Sequence, residues 1–293
     1  MTKTRAIGAK LSRVKTALIV NAGSGSGLDV AAVERELRGA GAEVTSFELG
    51  DERAAAASGA ERLVVAGGDG TVAAVAVAAA QADKPLAVIA AGTANDFVRA
   101  HGLPRGLRGA CLLAATGRRT RALELAWMDE RPFLNVASAG LAAPAARRAS
   151  RWKRALGVAA YGLGAMGAAV VDSPVPCAVS VDGEPVYEGK AWQVTVASSG
   201  AFGGGSHLDV ADASDGFLET VVLQNGPRAL LAARAVGMRT GRVTEQNGVS
   251  HRRGHEVELE VPENTEFNVD GEVVCHGPAR FRVEPAAFEL VAG

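Results

Sequence analysis

The chain has little cysteine: only three occur among its 293 residues, scattered at Cys111, Cys177 and Cys275. They form neither a C-x-x-C pair nor an even set, which argues against a fold held together by disulfides. Such usage fits buried thiols in a reducing compartment, and the cytoplasm is therefore the expected location.

A strong charge of either sign is also absent, since the formal net charge is −1. No global basic field recruits nucleic acid, so we expect no nucleic-acid partner, and any attraction to phosphate or membrane must be local. His251 and His255 stand four residues apart without an evident third ligand and beside arginines. We therefore expect no zinc site.

Residues 1–13 lack the apolar core of a secretory signal, and a flexible tail is expected there. Neither an internal repeat nor a low-complexity linker is present. The 48% hydrophobic content excludes disorder, and the length suffices for two modest domains or one large one.

The first half alternates apolar runs with helical patterns, the runs lying at 15–20, 43–48, 63–66 and 85–90. This alternation predicts an α/β domain with a doubly wound parallel sheet over residues 14–122. Loops at the carboxyl ends of such strands meet in one crevice and can share one ligand.

From residue 123 to residue 282 strand-like segments follow one another, the first of them at 133–137, which predicts a second, mainly antiparallel β domain. Asp182-Gly183 and Asp270-Gly271 are typical of hairpin turns. Helices are predicted at 155–171 and 227–238. Residues 283–293 are expected to return to the first domain, with a cleft between the two domains.

The most informative motif is Gly67-Gly68-Asp69-Gly70-Thr71, which lies between an apolar strand and a helix. Its glycines permit close backbone approach and positive φ, and the helix start offers N–H groups to an anion. Without a cation, the Asp69 carboxylate would repel a phosphate. We therefore expect Asp69 to hold a divalent cation or to bind the sugar or ordered waters. The motif predicts a nucleotide with Mg²⁺; the simpler alternative is a turn in which Asp69 caps the following helix.

Two further glycine-rich turns, at 21–27 and 92–97, follow other strands of the predicted sheet. Both could be mere strand-to-helix turns, with Asp96 as a helix cap. Because they converge on the same crevice, contact with the same ligand is the alternative that we favour.

Together these motifs resemble the diacylglycerol kinase catalytic family, which includes bacterial lipid kinases and sphingosine kinases. The resemblance continues through Phe202-Gly203-Gly204-Gly205, Asp215-Gly216-Phe217-Leu218 and Asp270-Gly271-Glu272. It implies a two-domain lipid kinase that uses ATP and Mg²⁺, with the active site between the domains. A GGDGT turn alone is less specific, since NAD kinases and phosphofructokinases carry similar turns.

The resemblance assigns most of the glycine-turn residues to the nucleotide. Those implied are Asn21, Gly23, Ser24, Gly25, Ser46, Gly67, Gly68, Asp69, Gly70, Thr71, Val72, Thr93 and Asn95. It also places Asp96 beside Asp69 in a carboxylate network around Mg²⁺, because two adjacent carboxylates are costly without a cation. Glu124 stands where relatives usually carry Asp and would join that network; an exposed strand charge is its alternative.

Glu272 is implied as the general base and Asp270 as its partner. A lipid hydroxyl is a poor nucleophile, so a carboxylate must take its proton as the phosphoryl group transfers. An ordinary hairpin with solvated acids is the alternative.

A structural Mg²⁺ is implied at Asp215, with the backbone carbonyls of Asp212 and Phe217 as further ligands. Carboxylate and carbonyl oxygens suit a hard cation. A simple Asp-Gly turn is the alternative.

A basic segment, 147–154, precedes an apolar stretch too short to span a bilayer. One interpretation is a run of solvated charges that precedes a helix of the core. For a lipid kinase, peripheral contact with an anionic membrane is the functional alternative.

The sequence departs from the family at Ala73-Ala74, where an Asn-Glu pair is usual, and at Ser198 or Ser199, where Asn is usual. A nucleotide- or lipid-binding sensor without turnover therefore competes with the lipid kinase, as does an NAD kinase-like enzyme with a soluble substrate. The lipid alcohol and the formation of a homodimer stay open.

Overall fold

The computed structural model describes residues 13–21, 29–141, 143 and 173–293. Gly23, Ser24 and Gly25, the basic segment 147–154 and the helix predicted for 155–171 lie outside the described residues.

The first part of the chain is a parallel sheet with strand order β2-β1-β3-β4. The strands are β1 (Lys15–Val20), β2 (Glu43–Glu48), β3 (Arg62–Gly67) and β4 (Leu86–Ala90). The helices are α1 (Val30–Gly39), α2 (Glu52–Ala57), α3 (Asp69–Ala82), α4 (Asp96–Ala100) and α5 (Leu107–Thr116). The predicted doubly wound parallel sheet is confirmed.

This sheet is covered on both faces, which explains its continuous apolar strands. Leu63 and Val65 of β3 pack in one core cluster with Val75 of α3. Val64, between them, points to the other face and packs in a cluster with Leu37 of α1 and residues of α5. Because successive side chains of β3 point to opposite faces of the sheet, this strand contributes to two hydrophobic cores.

The rest of the described chain is mainly antiparallel strand. The strands are β5 (Arg119–Met128), β6 (Arg131–Phe133), β7 (Val136–Gly140), β8 (Val175–Val181), β9 (Glu184–Ala197), β10 (Ala201–Phe202), β11 (Ser206–His207), β12 (Leu218–Gln224), β13 (Val249–Gly254), β14 (Glu256–Glu260), β15 (Thr265–Val269), β16 (Glu272–His276) and β17 (Ala279–Ala292). A helix, α6 (Leu230–Arg239), and a short 3-10 turn (Val243–Glu245) follow β12.

The long strand β17 joins the two halves into one continuous sheet. Its first part pairs with β14, it pairs antiparallel with β5 from Phe281 to Ala292 with a register shift between Glu284 and Phe288, and Leu290 near its end pairs parallel with Leu86 of β4. The glycine turns of the parallel part and the hairpins of the β-rich part therefore belong to the same sheet.

Both predicted Asp-Gly hairpin turns are confirmed, joining β8 to β9 and β15 to β16. Asp182 and Asp270 have φ of 50° and 47°, and their glycines follow with φ of 79° and 89°. Two successive positive φ values match the right-handed twist of the paired strands.

The sequence pattern predicts a single strand at 133–137, and this prediction is wrong. The structure breaks it into β6 and β7 at Leu134 and Asn135. The physical reason is that both residues donate their backbone N–H groups to the Asp270 carboxylate instead of to a neighbouring strand.

Candidate active site

The Gly67–Thr71 motif lies at the end of β3 and in the first turn of α3. The helix begins at Asp69, so Gly70 and Thr71 are already helical. The glycines of this turn do not use the positive φ that they permit, since Gly68 has φ −94° and neither Gly67 nor Gly70 is in the left-handed region.

Close approach is what the glycines of this motif provide. A Cβ on Gly67 would lie 2.6 Å from Cβ of Thr71, and one on Gly70 would lie 2.7 Å from Oε1 of Glu272. Only a hydrogen atom fits at Gly67, whereas a Cβ on Gly70 would press on the flexible end of the exposed Glu272 side chain.

The three crevice turns meet at this helix start, as far as the structure describes them. The Asn21 amide donates a hydrogen bond to Thr71 Oγ1 at 3.1 Å. A Cβ on Gly92 would lie 2.7 Å from the Gly68 Cα, so the second and third turns are in backbone contact. Asn95, with φ 50°, closes the third turn through two 2.8 Å hydrogen bonds to the backbone of Gly92.

Asp69 caps a helix, but not the one that it begins. Its Oδ1 accepts a hydrogen bond from the Phe97 N–H at 2.8 Å and its Oδ2 one from the Asp96 N–H at 3.1 Å. Asp69 therefore fixes the N-terminus of α4. Burial raises the pKa of Asp69, and the two backbone donors oppose that rise.

Asp96 connects the parallel sheet to the β-rich half. Its carboxylate forms an ion pair with Arg99 at 2.5 Å and accepts a hydrogen bond from the Gly204 N–H at 3.1 Å. Burial raises the pKa of Asp96, the neighbouring charge of Asp69 adds to the rise, and Arg99 opposes it. The expected proximity of Asp96 and Asp69 is thus present in the structure.

Asp270 lies in the hairpin turn between β15 and β16 and faces the break between β6 and β7. Its carboxylate accepts backbone hydrogen bonds from Leu134, Asn135 and Val136 at 2.7, 3.0 and 3.0 Å. The pKa of Asp270 is raised to about 7, chiefly by burial and additionally by the charge of Asp69, while the backbone donors oppose the rise. The two carboxylates are therefore electrostatic neighbours.

Glu272 follows Asp270 by two residues and projects from the same hairpin towards Gly70. It is exposed, and its Oε2 forms an ion pair with the Arg131 guanidinium. A carboxylate from the β-rich half thus lies against the first turn of α3, as the expected cleft between the halves requires.

Glu124 is only 1% exposed, so its interpretation as an exposed strand charge is wrong. Its carboxylate accepts hydrogen bonds from Ser198 Oγ at 2.8 Å and from the Gly216 N–H at 2.9 Å. Burial raises the pKa of Glu124 to about 7, with the charges of Asp215 and Asp212 adding to the rise. These contacts connect Glu124 with the segment at 212–217, and no contact between Glu124 and Asp69 is described.

The proposed structural cation site, at Asp212, Asp215 and Phe217, forms an exposed turn. The Asp215 carboxylate accepts a hydrogen bond from the Phe217 N–H at 3.0 Å and pairs with Arg253 at 2.5 Å. The Asp212 carbonyl accepts a hydrogen bond from the Asp215 N–H at 3.3 Å. Arg253 therefore already supplies a positive charge where a cation is predicted.

The remaining predicted nucleotide residues differ in their surroundings. Val72 is buried in α3, and Thr93 lies half-buried in the turn before α4. Ser46 lies inside β2 and donates a hydrogen bond to Glu34 of α1 at 2.5 Å. It does not follow the strand, and whether it reaches a nucleotide stays a prediction.

Sequence reasoning missed the arginines of the site. Arg99 had a local signal, because an acid and a base three residues apart on a helix face each other. Arg131 had none, since its partner Glu272 is 141 residues away in sequence. Gly204, which donates its N–H to Asp96, belongs to the motif Phe202-Gly203-Gly204-Gly205. The family resemblance includes this motif but implies no role for it.

Within the described part of the chain, no three His, Cys, Asp or Glu side chains form a ready-made metal cluster. Asp69, Asp96 and Asp270 nevertheless fit Mg²⁺ in another way. They are hard oxygen donors whose mutual repulsion a cation would relieve, and Mg²⁺ commonly binds one or two carboxylates together with substrate phosphates.

Comparison with protein families matches residues 15–127 to the diacylglycerol kinase catalytic domain and residues 135–292 to the YegS C-terminal NAD kinase beta sandwich-like domain. A Pseudomonas aeruginosa protein named "Probable lipid kinase YegS-like" is 30% identical over 96% of this chain and 95% of its own. The "Diacylglycerol kinase" of Mycobacterium tuberculosis is 28% identical over 94% of each chain.

Two solved structures show the fold. A diacylglycerol kinase from Bacillus anthracis has a TM-score of 0.76 at 24% identity, covering 97% of this chain and 99% of its own. Yeast NADH kinase complexed with NADH has a TM-score of 0.50 at 11% identity, covering 97% and 84%.

Fold and relatives together define a kinase in which a parallel α/β sheet continues into a β-sandwich-like part. The chain belongs to the diacylglycerol kinase catalytic-domain family, with the YegS type of C-terminal domain. In the residues that the structure describes, no helix is both long and apolar enough to cross a membrane.

Proposed function

We propose that the protein is an ATP- and Mg²⁺-dependent lipid kinase that transfers the γ-phosphate to the hydroxyl of a lipid alcohol, diacylglycerol-like or sphingoid, with Glu272 as the general base. The observation that carries the proposal is the position of the Glu272 carboxylate. It lies so close to the first turn of α3 that a Cβ on Gly70 would be 2.7 Å from Oε1. A base is thus held beside a helix N-terminus that suits phosphate.

The nucleotide phosphates would lie against the glycines of the three turns. The first N–H groups of α3 have no intrahelical partners, and they point out of the helix start. Asn21, bound to Thr71, and Gly92, packed on Gly68, bring the neighbouring turns to the same place. The electrostatic attraction of the helix start favours a phosphate there.

The transfer itself needs one proton acceptor. The lipid hydroxyl oxygen forms a bond to the γ-phosphorus as the bond from that phosphorus to the bridging oxygen of ADP breaks. The hydroxyl proton passes to the Glu272 carboxylate. Asp270 acts as a partner by holding the hairpin through its three backbone hydrogen bonds, and Arg131 orients Glu272.

Mg²⁺ bound with ATP would neutralise the phosphates and the developing charge of the leaving group. Asp69 and Asp96 are the residues that would hold it, directly or through water. Burial raises the pKa of both carboxyls, the charge of Asp69 adds to the rise for Asp96, and a bound cation would offset this cost of ionisation.

The lipid side of the proposal is supported by the relatives, whose names are lipid kinase and diacylglycerol kinase. A lipid alcohol resides in a bilayer, and we therefore propose peripheral contact with an anionic membrane surface. The location that we propose is the cytoplasm.

The deciding experiment incubates the purified protein with γ-labelled ATP, Mg²⁺ and a total lipid extract, then identifies labelled lipids by mass spectrometry. Asp69→Ala and Glu272→Gln should abolish the product. Glu260→Gln, a matched change at an exposed glutamate of β14, should not. A parallel incubation replaces the lipid extract with NAD. Label transferred to NAD and not to lipid would overturn the proposal, as would tight ATP binding without transfer to any lipid.

A further inference from the structure

The outer face of α6 is apolar, and no element in the described part of the chain covers it. Leu230 is 46% exposed and Val236 is 62% exposed, and the exposed Ala232 and Ala233 lie between them. The inward face of the helix, which includes Leu231, is buried. Large exposed apolar side chains in one continuous patch commonly mark an interaction surface.

Arginines surround this face. The stretch 227–242 contains four arginines and neither Asp nor Glu. Arg234 is buried and donates a hydrogen bond to the Gly248 carbonyl, so the other three form the rim. Arg228 lies over the Trp192 ring, and Arg242 pairs with Glu245.

An apolar helix face with a basic rim complements an anionic bilayer. The apolar side chains enter the acyl boundary while arginines reach the lipid phosphates. A second copy fits less well, because a two-fold contact between two such helices would bring their arginine-bearing ends together.

The helix is also connected to the candidate active site. Arg239, in its last turn, approaches Gly205 so closely that a Cβ there would lie 3.1 Å from Nη1. The neighbouring Gly204 donates its N–H to Asp96. Docking through α6 would therefore hold the loop beside Asp96 close to the bilayer surface.

We propose that the outer face of α6, with Leu230 and Val236 as apolar contacts and Arg239 as a phosphate contact, is a surface that docks this protein on an anionic membrane. The choice of a lipid bilayer as the partner rests on the proposed function.

The test is co-sedimentation of the full chain with vesicles of equal parts phosphatidylglycerol and phosphatidylcholine. Leu230→Glu with Val236→Glu should lower binding about 100-fold, because each apolar side chain contributes about tenfold or more when buried. Arg239→Gln should lower it about fivefold on these vesicles and leave binding to pure phosphatidylcholine unchanged. Leu112→Glu, the same change at a side chain on α5 that is 53% exposed, is the matched control and should bind like wild type.

Val236→Trp should bind more tightly than wild type, a gain that a misfolded protein would not show. Absence of binding by the wild type would overturn the proposal, as would unchanged binding by the double variant. A double variant that only converts a dimer to a monomer, without loss of vesicle binding, would assign the face to a second copy and also overturn it.

Kinase assays in detergent micelles separate this inference from the proposed function. The double variant should keep wild-type transfer to a lipid alcohol that detergent delivers. If no lipid is phosphorylated by any form while vesicle binding follows the substitutions, the proposed function fails and the docking surface stands.

Discussion

The Asp69 carboxylate and the Phe97 N–H are joined by a 2.8 Å hydrogen bond that crosses from the start of one helix to the start of another. Through it, the residue inside the second glycine turn determines where the third turn lies. Burial raises the pKa values of Asp96 and Asp270, and the charge of the Asp69 carboxylate adds to both rises. One side chain therefore has a structural role and sets the charge of the site.

These two roles separate in substitutions of Asp69. Asp69→Ala removes both acceptors of the α4 N-terminus and should lower the free energy of unfolding by about 2 kcal/mol. Asp69→Asn keeps one acceptor and removes a repelling charge, so it should lie within about 1 kcal/mol of wild type while losing activity equally. Chemical denaturation measures the free energy of unfolding of each variant. Asp51→Ala, at a helix start without a side-chain cap, should change nothing. Equal destabilisation by Ala and Asn would contradict the capping role.

Gly70 should tolerate a methyl group structurally but not catalytically. In Gly70→Ala the new Cβ would displace the flexible Glu272 carboxylate, which is exposed and can move at little cost. Alanine favours the helix by up to about 1 kcal/mol, so thermal stability should not fall. A misplaced base should lower kcat about 100-fold.

The control for Gly70 is Gly39→Ala, at the end of α1, where a Cβ would meet no atom within 4 Å. It should preserve both stability and kcat. Unchanged turnover in Gly70→Ala would remove Glu272 from the chemistry.

The sequence predicts the parallel sheet well because its buried strands read as continuous apolar runs, as in β3. It predicts β5 poorly because only part of Arg119–Met128 is buried. The break at Leu134 depends on Asp270, which is far away in sequence, and no local pattern can show it. For the same reason the simpler alternative for Asp69, a cap on its own helix, is wrong: the backbone partners of its carboxylate lie 27 and 28 residues later.

Glu124 should make stability depend on pH. Its pKa in the folded state is about 7, above the ordinary value of 4.5, so the folded protein holds a proton that the unfolded chain has lost. Stability therefore falls as pH rises between these two values, and the full cost, on the order of 3 kcal/mol, is present above pH 7.

Glu124→Gln removes this titration, and its free energy of unfolding should fall less than that of wild type between pH 5 and pH 8. Urea denaturation at each pH measures the difference. Glu260→Gln, exposed on β14, should follow wild type throughout. Parallel curves for wild type and Glu124→Gln would show that the buried carboxyl does not titrate in this range.

We propose that Asp215 can hold the structural cation that the family resemblance implies, and Arg253 would then compete with that cation for the same carboxylate. The guanidinium lies 2.5 Å from Oδ2, and Mg²⁺ would have to share or replace this charge. We expect Mg²⁺ without nucleotide to raise the Tm of wild type slightly and that of Arg253→Gln by more, since removal of a neighbouring positive charge strengthens cation binding.

Asp215→Asn should abolish the Mg²⁺-dependent rise in Tm in both backgrounds. Arg252→Gln, one residue earlier on β13, removes the same charge without touching Asp215 and should respond like wild type. A Tm that ignores Mg²⁺ in wild type and in Arg253→Gln alike would leave Arg253 as the only counter-charge of this turn and exclude the structural cation.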